Sequence, residues 1–505
     1  MSGRRRRLLR PGTLAALVLV AVGSAACAPA RQTPLEAADF RRYSTSGEIS
    51  RYLDALARRA PGLARKDVFG RSVEGRPLEA LVLAAPPGEP AGPRLKVLLV
   101  GSQHGGAEPA GGEALLGIAR DLIDGDLRPL LDDLDVVMIP NANPDGRDLH
   151  RRSNANRVNI NTDFVRLSQP ESRALVQALA RYAPDAALDT HESAVLKRET
   201  LAREGYLTDF DAQFEIANNP ALPDAMQAYA EHTVLPALIA RVSAGGLPAN
   251  HYIGEITSTR QAVTHGGLTL RNFRNTAALG GALSVLVETK LDPRTDVFPT
   301  YRNIAVRVDR QRLCIRSFLT EVHARREAIR EQVLAARAAP PPRTLTLFAG
   351  YGPTPAQATV SIRLRRLDTR ALEPLAFADH RQRVTADRVH VPGALIVTRH
   401  TDALRELLDH HGVAYTVLDQ QLRHTVRAMR LAARPSALGR CTAVREASTP
   451  TTLPAGSLRV DLAQPAGRLA LLLFDPRSIS SVFRYPEYAA WIAPGEEFFV
   501  YQDLR

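Results

Sequence analysis

Short apolar runs and helix-spaced apolar positions take turns along the first two-thirds of the chain. Leu95 to Gly101 (L-K-V-L-L-V-G) is a nearly unbroken apolar run, as in a strand covered on both faces. A Gly/Pro loop follows it, then helical spacing from Glu113 to Ile123. Asp135 to Ile139 reads as a second strand that stops at Pro140. Ser168, Pro170 and Glu171 have the character of cap and first-turn residues for a helix running to Tyr182. Ala186 to Asp189 and Ser284 to Glu288 are further strands. The alternation predicts an α/β architecture, a central sheet flanked by helices, with polar clusters at the strand ends where such sheets carry their sites.

Residues 301 to 337 carry Ile304, Val308, Ile315, Leu319, Val322, Ile329 and Val333 at helical spacing, which predicts one packing helix. It stops at Pro340-Pro341-Pro342, since consecutive prolines cannot continue a helix. The predicted division is a catalytic domain over 28–337, a Pro-rich linker over 338–343 and a smaller strand-rich domain over 344–505. In the last, Thr344 to Phe348, Thr359 to Leu364, Val413 to Leu418 and Leu469 to Phe474 read as strands or extended chain, and Leu404 to His410 as a helix capped by Thr401 or Asp402. His410 and His411 at that helix end read as solvated residues favoured by the helix dipole. Pro144-Asp145-Gly146 reads as a turn.

Residues 1–27 read as a secretory leader: a basic stretch, an apolar run from Thr13 to Val22 too short to span a bilayer, then small residues before Cys27. Ser24-Ala25-Ala26-Cys27 resembles a lipobox, which predicts an exported lipoprotein of the periplasm or outer envelope anchored through Cys27. Cleavage near Ala26 or Ala28 would instead release a soluble secreted protein. The leader also accounts for five of the formal +12 charges, and the +7 left comes from scattered arginines. No basic stripe with interleaved aromatics is present, so nucleic acid is not an expected partner. Cys314 and Cys441 are too few for a disulfide framework, and Cys314 on its helical pattern reads as a core residue.

Chemistry concentrates at the predicted strand ends. A hydrolytic zinc site commonly takes three His or carboxylate ligands and keeps a separate carboxylate for proton transfer. His104 and Glu108 lie in Q-H-G-G-A-E directly after the first strand, His191 lies in L-D-T-H-E after the Ala186 strand, and Glu288 ends S-V-L-V-E.

Several motifs in one order resemble the zinc carboxypeptidase family: Y-S-T-S-G-E-I-S-R-Y-L-D-A-L, F-G-R-S-V-E-G-R-P-L and S-Q-H-G-G-A-E-P-A within residues 41–110, then N-P-D-G, R-S-N-A-N, N-I-N-T-D-F, D-T-H-E and L-V-E-T. The resemblance implies that family's mixed-sheet fold and a Zn²⁺ held by His104, Glu108 and His191. It also implies that Glu288 is the general base and acid, that Arg152 stabilises an oxyanion, and that Asn161 helps to hold a terminal carboxylate. Asp189, in D-x-H, would orient a metal ligand.

Two departures change what is expected of the substrate. His104 and Glu108 are separated by one residue more than the family's H-x-x-E. Thr162 stands where the family carries a carboxylate-binding arginine, and Arg271 or Arg274 in L-R-N-F-R-N could supply that cation. The expected partner is a peptide or a peptidoglycan peptide, and the expected function a carboxypeptidase-like zinc peptidase. The alternatives are a zinc amidohydrolase of small acylated amino acids and a non-catalytic binding lipoprotein derived from a peptidase.

Overall fold

The computed structural model describes residues 32–84, 93–193, 201–254, 256–291, 303–436, 439, 441 and 443–504. The leader and Cys27 lie outside the described residues. Among the described residues no helix is long and apolar enough to cross a membrane.

An eight-stranded mixed sheet organises the first part of the chain. Its strands are β1 (Ala64–Arg71), β2 (Pro77–Leu83), β3 (Leu95–Val100), β4 (Leu134–Ile139), β5 (Ala186–Ser193), β7 (Ala212–Ile216), β8 (Ala249–His251) and β9 (Leu283–Lys290), while β6 (Tyr206–Thr208) lies elsewhere. They are ordered β1-β2-β4-β3-β5-β9-β7-β8. The four central strands β4, β3, β5 and β9 run parallel, and β2 and β7 flank them antiparallel. The apolar run of β3 follows from this central position. Val97 and Leu99 point into one core with the helices Ser46–Arg59, Ala110–Asp124 and Ile304–Ala324, whereas Leu98 and Val100 join the opposite core with helix Pro170–Tyr182.

Close packing at the strand ends depends on glycine. Gly111, in the first turn of helix Ala110–Asp124, faces Thr190 of β5 with no room for a Cβ. Gly105, at φ 50°, would place a Cβ 2.5 Å from the Gly146 backbone.

The C-terminal region is strand-rich. It contains β10 (Thr344–Gly352), β11 (Thr359–Arg366), β12 (Leu372–Ala378), β13 (Gln382–His390), β14 (Ala394–Val397), β15 (Thr416–Val417), β16 (Leu422–Leu431), β17 (Ala443–Leu453), β18 (Leu458–Asp461) and β19 (Val500–Asp503). Six of these form the sheet β15-β18-β14-β19-β16-β17. The region also packs back on the first part. β11 pairs antiparallel with β6, and Ile362, Leu364 and Phe377 share a core with Leu201, Phe210, Ile253, Ile256 and Val263.

Several local expectations are corrected. The single helix over 301–337 is two, Ile304–Ala324 and Arg326–Ala338, broken where Arg325 leaves helical geometry at φ −114°, ψ 16°. Leu469 to Phe474 is not a strand but part of helix Gly467–Phe474, fully buried over its second half. A short apolar run is equally compatible with either element, and its leucines and alanine favour helix. Pro144-Asp145-Gly146 opens a one-turn helix, Pro144–Asp148, capped by Asn143, whose side-chain oxygen accepts from Gly146 N at 2.9 Å. Helix Thr401–His410 begins after His400, so neither Thr401 nor Asp402 caps it. His411 is buried rather than solvated, with Nε2 donating to the Val165 carbonyl at 3.0 Å.

Candidate active site

Three chain segments bring the polar groups together at the ends of β3, β5 and β9. After β3 the chain turns sharply: Ser102 and Gly105 take left-handed conformations, Gly105 N donates to Ser102 O, and Ala107 N donates to His104 O. That folded loop carries both His104 and Glu108. One ligand atom from each of His104, Glu108 and His191 lies within 4.8 Å of the others, and all three residues are buried.

Buried polar contacts brace the loop and strands. Arg147 is fully buried and pairs with Glu113, donates from Nη1 to Ser102 Oγ at 2.8 Å and from Nε to Ser44 O at 2.7 Å. Asn143 Nδ2 donates to Gln103 O at 3.2 Å, so the N-P-D-G segment holds the loop from below. On β5, Glu192 forms a buried pair with Arg307, and Gln311 Nε2 donates to the His191 carbonyl at 2.7 Å. Gln103, Arg307 and Gln311 were not singled out by sequence. Gln103 at least stands beside His104 in its motif, whereas the other two are on a distant helix.

The three candidate donors are tightly linked. His191 Nδ1 lies 3.1 Å from Glu108 Oε2, and its Nε2 lies 2.9 Å from Asp189 Oδ2. Gln103 Nε2 donates to the other Asp189 oxygen at 2.6 Å. Arg152 forms an ion pair with Glu108 and reaches His104 Nε2 at 2.9 Å from its other terminal nitrogen. Asn161 lies beside the set, its Nδ2 3.3 Å from His191 Nε2 and its Oδ1 accepting from Phe273 N. Glu288 sits opposite His191 in the β5–β9 register, and its Oε2 is buried without a hydrogen-bond partner.

Electrostatics follow from this crowding. Burial opposes charge on both histidines; it leaves His104 well below the ordinary imidazole range, with Arg152 and His191 adding to the effect against Glu108. For His191 the carboxylates of Asp189 and Glu108 outweigh burial and hold its pKa well above that range. Burial also works against ionised Glu108, but His104, Arg152 and His191 together keep it below the usual carboxylate range. Burial, then the charge on Glu108, pushes Glu288 up to about 8.

The arrangement fits a metal of zinc's preferences. Two imidazoles and a carboxylate converge, the His104 Nδ1 and Glu288 Oε2 atoms are buried without partners, and the remaining carboxylate lies on the neighbouring strand. Residues 49–198, which include His104, Glu108 and His191, match the zinc carboxypeptidase family profile. The likeness to the zinc carboxypeptidase family is carried by this segment. The chain is 27% identical over 246 residues to the probable carboxypeptidase 2 of Trichophyton verrucosum, covering 47% of each chain. The chain thus spans about half the length of such relatives. It is 36% identical over 155 residues to carboxypeptidase D of Mus musculus, covering 27% of this chain and 11% of that one. A metallo-carboxypeptidase of known structure from Burkholderia cenocepacia superposes with a TM-score of 0.43 at 19% identity, covering 56% of this chain and 70% of the other.

The groups expected to meet the substrate are placed unevenly. Thr162 closes a short turn, its Oγ1 donating to Asn159 O at 2.9 Å. Arg271 is exposed, its guanidinium 5.8 Å from the Tyr485 ring centroid and without an ion pair among the described residues. Arg274 is buried instead, donating to Asn218 Oδ1 and Gly267 O.

Proposed function

We propose that this protein is an exported zinc-dependent peptidase in which His104, Glu108 and His191 hold the metal and Glu288 moves the proton. The convergence of these three donors beside the unpartnered Oε2 of Glu288 carries the reading. Zinc, when bound, supplies Lewis acidity towards a carbonyl oxygen and acidifies water. Glu288 accepts the proton of the attacking water and returns it to the departing amine, a task suited to a carboxyl whose pKa lies near neutrality. Arg152 forms an ion pair with Glu108. With a metal held by His104, Glu108 and His191, the half-exposed guanidinium of Arg152 would offer a cationic donor to an oxyanion. Asp189 fixes the His191 ring, and Asn161 positions the end of the substrate.

Thr162 supports altered recognition of the substrate end, because a hydroxyl engaged with Asn159 cannot replace a guanidinium. Arg271 is the exposed cation nearest in sequence to the Phe273 contact of Asn161, and we assign it to a free carboxylate. The same feature favours a second reading, an amidohydrolase of small acylated amino acids. A comparison of free-acid peptides, amidated peptides and acyl amino acids, run on zinc-loaded protein and on Glu288→Gln, tests both. Preferential, Glu288-dependent turnover of free-acid peptides is expected. Turnover of acyl amino acids alone establishes the second reading, and no turnover of any class in zinc-loaded protein refutes both.

A further inference from the structure

Away from His104, a second group of donors converges. Glu215 on β7, His251 at the end of β8 and His265 in the loop beyond each offer one ligand atom, all within 4.8 Å of one another. We propose that Glu215, His251 and His265 form a second divalent transition-metal site, for which zinc is the favoured ion.

The donors are individually oriented. His265 Nδ1 lies 2.7 Å from the Tyr252 carbonyl, and a carbonyl only accepts, so Nδ1 carries the proton and Nε2 presents a lone pair. Glu215 is buried, and its Oε2 accepts from Gly266 N at 2.7 Å, which fixes the carboxylate plane. Its Oε1 lies 3.2 Å from His251 Nε2. The His251 and His265 rings stack with centroids 3.7 Å apart and planes 20° from parallel.

A purely structural ion pair would account for Glu215 and His251, but not for His265 stacked on the same partner with Nε2 making no hydrogen bond among the described residues. Two imidazoles with one carboxylate suit zinc and its neighbours and are too poor in oxygen for magnesium or calcium. Arg274, whose positive charge acts on Glu215, weakens the affinity for a dication. An ion here would clamp β7 to the 249–266 segment. Gln213 lies opposite Glu288, and Glu215 is two residues further along the same face of β7, so the clamp would steady the strand beside the proposed base.

The site rests on none of the residues assigned to hydrolysis, and metal content tests it separately. Full-length protein dialysed against Zn²⁺ and analysed by plasma emission should hold two equivalents. His251→Ala/His265→Ala should hold one, as should His104→Ala/His191→Ala. Glu215→Gln, close in volume, should bind the second equivalent at least about tenfold more weakly. Metal content unchanged in the His251→Ala/His265→Ala protein overturns the site, and so does a His104→Ala/His191→Ala protein that binds none. Where the first variant does not fold, the second decides: one retained equivalent supports the site and zero refutes it.

Discussion

Glu288 stands directly opposite His191 across the parallel β5–β9 pair. Residues opposite one another in a sheet share a face, so the strand register itself brings the proposed base to the proposed ligands. Replacing Glu288 with Gln keeps the shape and removes the proton acceptor. Peptide hydrolysis should fall about 10²–10⁴-fold in kcat, with zinc content unchanged. Unaltered kcat in the zinc-loaded variant would remove Glu288 from the chemistry.

The same register makes the metal-free protein sensitive to base. Burial and the Glu108 charge raise the folded-state pKa of Glu288 to about 8, above its unfolded value of roughly 4.3. The folded state therefore binds the proton more tightly, and this contribution is fully present below the unfolded value and is lost as pH rises through about 8. His191, raised by Asp189 and Glu108 against its burial, acts in the same direction above the ordinary imidazole value. Melting temperatures of chelator-treated protein should drop across that range, and the drop should shrink in Glu288→Gln. Identical slopes in the two proteins would contradict the assignment.

The parts of this site that were legible in sequence are those whose partners lie close in the chain or at strand ends. His104 and Glu108 share one glycine-bearing loop, and β3, β5 and β9 announce themselves as apolar runs that stop at polar residues. The rest depended on distant neighbours. His411 is buried because Val165, 246 positions away, accepts its hydrogen bond, and nothing local distinguishes it from His410. Helix Gly467–Phe474 is apolar all round its buried half, so no period separates it from a strand. L-R-N-F-R-N does not reveal that Arg274 turns inward while Arg271 stays exposed. Glu215, His251 and His265 have no motif spacing, and only the return of the chain along β8 joins them.

Arg152 contacts both Glu108 and His104, so its guanidinium competes with a cation for those donors. In Arg152→Ala the zinc affinity should be equal to or higher than that of the parent, while kcat should fall about 10²–10³-fold from the loss of an oxyanion donor. Competition with a chromogenic chelator and steady-state kinetics read the two quantities independently. Loss of zinc together with activity would make Arg152 a support for the ligands instead of a partner of the substrate.

His411 gives the acid side of the stability profile. Burial pushes its pKa down to about 4 despite the bond to Val165 O, so the imidazole stays neutral in the folded protein. The unfolded chain, with an ordinary value of roughly 6.5, takes up the proton first as pH falls. Stability is therefore complete above about 6.5 and is lost progressively down to about 4. The shift corresponds to a loss on the order of 3 kcal/mol. Gln can still donate to the Val165 carbonyl but does not titrate, so His411→Gln should flatten the urea-unfolding free energy across this window. If the wild-type and His411→Gln slopes coincide, His411 is protonated as readily in the folded protein as in the unfolded chain, and its burial against Val165 exerts no control over acid stability.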